Sequence, residues 1–260
     1  MGSPLNVATA GHIQIWTINR PDVGNAITGL DIIEALEEAV YAANADTEVR
    51  AVILTGEGRI FSAGGNVKDM ADRQGMFGVD ERAQRRAYVA GIQRIPRAMQ
   101  RLEVPIIAAV NGAAIGAGLD LAMMCDLRVA SDRAKFAESF VSIGLIPGDG
   151  GTWFLPRAIG WERAAEMTFT GEPIDAATAL EWGLVSRVVP HDTLMAEAER
   201  LAERIAKNPG EALRMAKRLL QESQAGSLES VLGMAAAMQP LAHRDPEHAD
   251  RIAKWRTEPR

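Results

Sequence analysis

The sequence predicts an α/β fold through its first two-thirds and helices alone in its last third. Three observations carry this. Short runs of branched or small apolar residues, such as 49–55 (VRAVILT), recur with helical patterns between them. The run 105–110 (PIIAAV) contains no polar residue, which suits a strand covered on both faces of a parallel sheet. From Asp192 onward the apolar residues keep helical spacing and no further strand pattern follows. Strands alternating with helices imply right-handed crossovers. The helical end cannot belong to that repeat, so it packs on the core or on a neighbouring subunit. The expected division is a core domain over 1–195 and a helical region over 196–260.

Taken in order, Ile13–Ile18 alternates as a half-buried strand does and stops at Arg20-Pro21-Asp22. Thr28-x-x-Asp31 then opens a helix whose Ile32, Ile33, Leu36 and Val40 form one apolar stripe as far as Asn44. After the strand at 49–55 comes a loop holding Gly56, Gly58, Gly64 and Gly65. Residues 70–91 are charged and irregular before a helix forms towards Leu102. The strand 105–110 leads into a helix over 116–124, then short strands at 127–130 and Lys135–Ala137. Helices over 153–159, 162–169 and 175–182 precede a strand at 184–189. The remaining helices break at Asn208-Pro209-Gly210, Gly226 and Pro240.

Composition narrows the function. Lys+Arg 28 against Asp+Glu 34 gives a net charge of −6, which argues against a nucleic-acid or membrane-surface partner. The single Cys125 excludes an internal disulfide and a cysteine-based zinc site, and the four histidines lack metal-ligand spacing, so no metal is expected. The uncharged stretch 104–119 contains Pro105, Asn111 and three glycines and is shorter than the roughly 18 apolar residues of a membrane span. The first residues carry no basic-then-apolar leader. The expected setting is cytoplasmic.

Phosphate-loop, dinucleotide and nucleophile-elbow motifs are missing. Two loops of small residues remain, each directly after a predicted strand: Phe61-Ser62-Ala63-Gly64-Gly65-Asn66, and the stretch 111–120 (NGAAIGAGLD). Small residues at a strand-to-helix turn let a ligand approach outward-pointing N–H groups. Two such turns facing one another could hold one carbonyl oxygen, as an oxyanion hole requires. For either loop alone, close helix-on-strand packing is the better explanation. Asp120 sits in the first turn of an otherwise apolar helix, where it is either a dipole-stabilising acid or a working carboxylate.

Together these residues closely resemble the crotonase (enoyl-CoA hydratase/isomerase) superfamily over about residues 13 to 190. The resemblance runs through Arg20-Pro21, Asn25-Ala26, the segment 61–70 (FSAGGNVKDM), 105–112, Gly116-Ala117-Gly118-Leu119-Asp120, Met124-Cys125-Asp126, 144–152 (GLIPGDGGT) and 179–189. It implies a spiral of β–β–α turns with a helical C-terminal part that forms trimers or dimers of trimers. The implied ligand is an acyl-CoA thioester, with coenzyme A entering as part of the substrate and no other cofactor. By motif position the oxyanion donors would be the amides of Ala63 and Ala117. Asn25, Ala26, Ala63, Gly64, Gly65, Asn66, Val67, Lys68 and Phe140 would line the substrate path, with Arg59 and Lys68 as candidate phosphate partners.

The departures from the family pattern matter. Hydratases of this family use two glutamates. Asp120 stands at the first position and Phe140 at the second, where a phenyl ring cannot exchange a proton. Glu138 reads as a surface acid, pointing away from the site if its segment is a strand. Asp149 is either a catalytic base displaced by one residue or a helix N-cap. The expected chemistry is hydration of a 2-enoyl-CoA through an enolate, with Asp120 and Asp149 as catalytic acids. Double-bond isomerisation with one base, and an inactive acyl-CoA-binding scaffold, are the alternatives.

Overall fold

The apolar runs become the strands of two sheets in the computed structural model, which describes residues 2–257. The larger sheet has the order β1 (Leu5–Ala10), β2 (Ile13–Ile18), β3 (Ala51–Gly56), β5 (Ile106–Val110), β7 (Leu127–Ser131) and β10 (Arg187–Val189). β1 pairs antiparallel with β2, and every other neighbour is parallel, with Ile13 opposite Ala51 and Ile107 opposite Leu127. The smaller sheet has the order β4 (Ile60–Ser62), β6 (Ala113–Ile115), β8 (Lys135–Ala137) and β9 (Ile174–Asp175). Each successive pair, β3–β4, β5–β6 and β7–β8, places one strand in each sheet before a helix follows. That repetition is the β–β–α spiral.

Helices α1 (Leu30–Ala45), α2 (Val67–Ala71), α3 (Glu81–Ala90), α4 (Arg94–Arg101) and α5 (Ala117–Met124) fill the early turns. They are followed by α6 (Gly151–Ile159), α7 (Trp161–Thr170) and α8 (Ala176–Glu181). Strand alternation divides the core. Val52, Leu54, Ile106, Ala108 and Val110 pack with Ile33 and Leu36 of α1 and Ile95 and Met99 of α4. Their neighbours Ala51, Ile53, Ile107 and Ala109 face the other way, onto Leu194, Ala198, Leu201 and Ala202 of α9 (Leu194–Ala206). Both faces are thus dry, which is why the run 105–110 carries no polar residue.

Since α9 seals one face of the larger sheet, the packed core extends past the expected boundary at 195. The next helix, α10 (Gly210–Ser223), is tied down by two buried cations. Arg214 donates to the carbonyls of Ala43 at 3.1 Å and Asp46 at 2.8 Å and to Glu103 at 3.0 Å. Lys217 donates to Val104 O at 2.9 Å and pairs with Asp126 at 2.8 Å. Burial of each charge is tolerable because each is paired and hydrogen-bonded.

Three sequence expectations change here. The helix expected to break at Pro240 runs through it as α11 (Leu228–Arg244), and α12 (Pro246–Thr257) begins after Asp245. The carbonyl of Ala236, which Pro240 leaves without an N–H, lies on an exposed residue that water can reach. The strand expected over 184–189 forms only at its end. β1 was not expected, because only Leu5 of its six residues is buried and no alternation marks it. Among the described residues no helix is long and apolar enough to cross a membrane.

Candidate active site

The two small-residue loops meet. Gly64 has φ +79°, and a Cβ there would stand 2.5 Å from Ile115 O and 2.8 Å from Ala117 N. A Cβ on Gly118 would come within 2.1 Å of Ser62 O. Only glycine at both positions allows the loop after β4 to lie directly on the start of α5. Ser62 locks it, its Oγ donating to Asn25 O at 2.8 Å and accepting from Gly64 N–H at 3.1 Å.

This contact corrects the expected donor pair. The Ala63 N–H donates to Gly24 O at 2.8 Å, so it is not available to a ligand. Two residues on, the Gly65 amide has no hydrogen-bond acceptor among the described residues, and neither has the amide of Ala117, the first residue of α5. Both Gly65 and Ala117 line a cavity of about 140 Å³, together with Val67, Tyr88, Phe140 and Asp149.

Other residues expected on the substrate path do different work. Asn25 is fully buried with φ +56°; its Nδ2 donates to Ile60 O at 2.7 Å and Glu57 O at 3.0 Å, and its Oδ1 accepts from Arg20 N–H. It braces the turn before β4 rather than facing a ligand. Ala26 is buried beside it. Asn66 caps α2, its Oδ1 accepting from Lys68 N–H at 3.1 Å. Arg59 and Lys68 are solvent-exposed. Phe140 lies with its ring over Gly116, where a Cβ would stand 3.5 Å from the ring edge. It makes an apolar wall at the position to which the resemblance assigns a second glutamate.

Three carboxyl groups gather beside the cavity, and Asp149 is the one that lines it. Asp120 and Glu138 are 0% exposed and Asp149 is 4% exposed. Glu138 is therefore not a surface acid. β8 ends at Ala137 and the chain turns into a 3-10 helix over Ser139–Ile143, so strand alternation no longer governs where Glu138 points. Asp149 is not a helix cap either: Gly150 occupies the N-cap of α6, and no side chain caps it. Asp120 Oδ2 accepts from Gly151 N–H at 3.1 Å. Asp120 Oδ1, both oxygens of Glu138 and Asp149 Oδ1 have no donor in contact if all three groups are ionised. A proton on Asp120 supplies one, because its carboxyl group touches both of the others.

Burial raises all three carboxyl groups above their ordinary values, and repulsion adds to this for Asp120 and Glu138. Asp120 lies well above the usual carboxylate range, first because it is buried and then because Glu138 and Asp149 face it. Burial pushes Glu138 up to about 8. Asp149 is also raised by burial, though its hydrogen bonds to Asp120 and to backbone N–H groups pull the other way. Of the residues lining the cavity, Asp149 alone carries a carboxyl group. Asp120, expected to reach the substrate, sits one layer back, its Oδ2 held by the Gly151 amide.

Tyr88 of α3 completes the wall; a Cβ on Gly148 would lie 3.0 Å from its ring, and burial and the charge of Asp149 raise its hydroxyl. Sequence reasoning missed Tyr88, because it falls in the charged, irregular stretch. Gly151 is the other unforeseen part. A Cβ there would come 2.3 Å from both Asp120 Oδ1 and Glu138 Oε1. Gly151→Ala should wedge the acids apart, lowering stability by about 1–3 kcal/mol in thermal or denaturant unfolding and reducing turnover as well.

Known proteins share this arrangement of chain. The sequence model for enoyl-CoA hydratase/isomerase matches residues 8–249. A probable enoyl-CoA hydratase of Rhizobium meliloti (strain 1021) is 40% identical over 219 residues, covering 84% of this chain and 81% of that protein. The 2,3-dehydroadipyl-CoA hydratase of Escherichia coli (strain K12) is 36% identical over 231 residues, covering 88% and 86%. The crystal structure of an enoyl-CoA hydratase from Bacillus anthracis superposes with a TM-score of 0.88 at 32% identity, covering 99% of this chain and 98% of that one. The fold is thus the crotonase fold, and the chain belongs to the enoyl-CoA hydratase/isomerase family.

Proposed function

We propose that this protein is an acyl-CoA enzyme of the enoyl-CoA hydratase type, with Asp149 as the acid that touches the substrate. One observation supports the reading: the amides of Gly65 and Ala117, which meet no acceptor among the described residues, share a cavity wall with that single carboxyl group. The thioester oxygen of a 2-enoyl-CoA accepts from both amides. Asp149, as carboxylate, takes a proton from water while the water oxygen bonds to the β-carbon. The double-bond electrons move onto the thioester oxygen, where the amides stabilise the enolate. Asp149 then returns the proton to the α-carbon, completing the addition of one water. Coenzyme A enters with the substrate and no other cofactor is needed. Val67 borders the thioester and the exposed Lys68 offers a charge to the phosphates.

Incubation with crotonyl-CoA should bleach the conjugated-thioester absorbance and add the mass of one water. Unchanged substrate, despite measurable binding, would favour an inactive scaffold. A second reading is favoured by Phe140 and the lone cavity-lining acid. In double-bond isomerisation one base suffices, taking a proton from C2 of a 3-enoyl-CoA and delivering it to C4. That outcome creates the conjugated band with no change in mass. For assembly, the exposed Leu228, Leu232 and Leu241 of α11 support self-association as a trimer or dimer of trimers, which sedimentation equilibrium measures.

A further inference from the structure

Glu138 has no part in the chemistry just described, yet it is wholly buried, and among the described residues its oxygens meet no donor unless Asp120 carries a proton. A buried carboxyl group without a partner is costly and calls for a reason. The position is also built: Gly151, whose missing side chain leaves room for Asp120 and Glu138, fixes Asp120 through its amide at 3.1 Å. Asp120 lies between the other two acids.

We propose that Glu138 is a positioning residue: it and Asp149 compete for the proton on Asp120, so that the hydrogen bond from Asp120 turns to Asp149 when Asp149 is ionised and to Glu138 when Asp149 has taken a proton. No covalent bond to carbon or oxygen of the substrate is involved; only the direction of one O–H changes. The effect is to ease both halves of a proton transfer that Asp149 must perform alone. The groups that bear on this proton come from every packed element. They are Asp120 on α5, Glu138 after β8, Asp149 and the Gly151 amide at the start of α6, and Tyr88 on α3, which faces Asp149. None of the groups acting on Asp120 is a cation.

The catalytic part of this inference rests on the hydratase-type reading; the proton-sharing part does not. The test therefore has two arms. In the first, Glu138→Gln keeps shape but weakens the competitor, so Asp120 donates more fully to Asp149. The acid limb of the kcat/KM profile with crotonyl-CoA should move to lower pH by about one unit, and Glu138→Asp should lie between the variant and the wild type. A merely structural Glu138 would lower stability and leave the limb where it was. The second arm needs no substrate. Infrared spectra of the unliganded wild-type protein should show buried protonated carboxyl groups at neutral pH, with a band lost in Glu138→Gln and another altered in Asp120→Asn. Superimposable pH limbs in a folded Glu138→Gln variant would overturn the positioning role. A wild-type spectrum with every carboxyl group ionised at neutral pH would overturn the shared proton, whether or not turnover is found and even if the variants fail to fold.

Discussion

Asp149→Asn should lower turnover of a 2-enoyl-CoA by about 10²- to 10⁴-fold, the range that a positioned general acid–base supplies. Affinity for the thioester should stay close to that of the wild type, since the amide is nearly isosteric and the oxyanion amides remain. The reason lies in the cavity wall. Asp149 faces it, whereas Asp120 and Glu138 are enclosed behind. The substitution should also remove the acid limb of the pH–rate profile, because that limb reports the ionisation of Asp149. The sign follows from burial: a carboxyl group raised above its ordinary value must lose its proton at higher pH before it can act as a base. Asp120→Asn should be milder and act through the pH profile. If Asp120→Asn abolished activity while Asp149→Asn retained it, the roles assigned to the two residues would be reversed.

Ala117→Pro should cost about 10²- to 10³-fold in kcat, the loss seen when one oxyanion donor is removed. Proline is well suited to this test. Ala117 is the first residue of α5, a position where proline fits and where the N–H has no intrahelical partner. The substitution deletes the donor while leaving the helix able to form. Ala117→Gly retains the N–H and should keep most of the activity, which separates loss of the donor from a change in side-chain size. Circular dichroism and thermal unfolding check that the proline variant is folded. Near-wild-type turnover in a folded Ala117→Pro protein would mean that this amide does not hold the developing charge.

The cluster also ties stability to pH. Glu138 binds its proton more tightly folded than unfolded, with a folded value of about 8 against an ordinary 4.5. Its stabilising contribution is complete below the ordinary value and is lost as pH rises through the folded one. The thermal midpoint of the wild type should therefore fall between mildly acidic and mildly alkaline solution, and Glu138→Gln should flatten that dependence.

Much of this architecture was legible in the residues. The run 105–110 announced a strand covered on both sides, and the two glycine loops announced a contact between backbones. Asp120 and Asp149 stood out as acids among small or apolar neighbours. What stayed hidden depended on contacts distant in sequence. Which amide of the loop after β4 stays free is decided by the carbonyl of Gly24, which takes the Ala63 N–H and leaves that of Gly65. The inward turn of Glu138 depends on β8 stopping at Ala137, a boundary that alternation cannot place. Tyr88 lies in a charged helix with no apolar stripe to mark its buried side. Pro240 implies a break by the rule for helix interiors, but an exposed helix can hydrate the carbonyl that proline leaves bare.

A crystal structure of the Asp149→Asn protein with a 2-enoyl-CoA bound tests the site most directly. The thioester oxygen should lie within hydrogen-bond distance of both the Gly65 and Ala117 amides, with residue 149 beside the α- and β-carbons and the Phe140 ring lining the same cavity. A thioester oxygen resting elsewhere, or an acyl group whose carbons approach Asp120 instead, would contradict it.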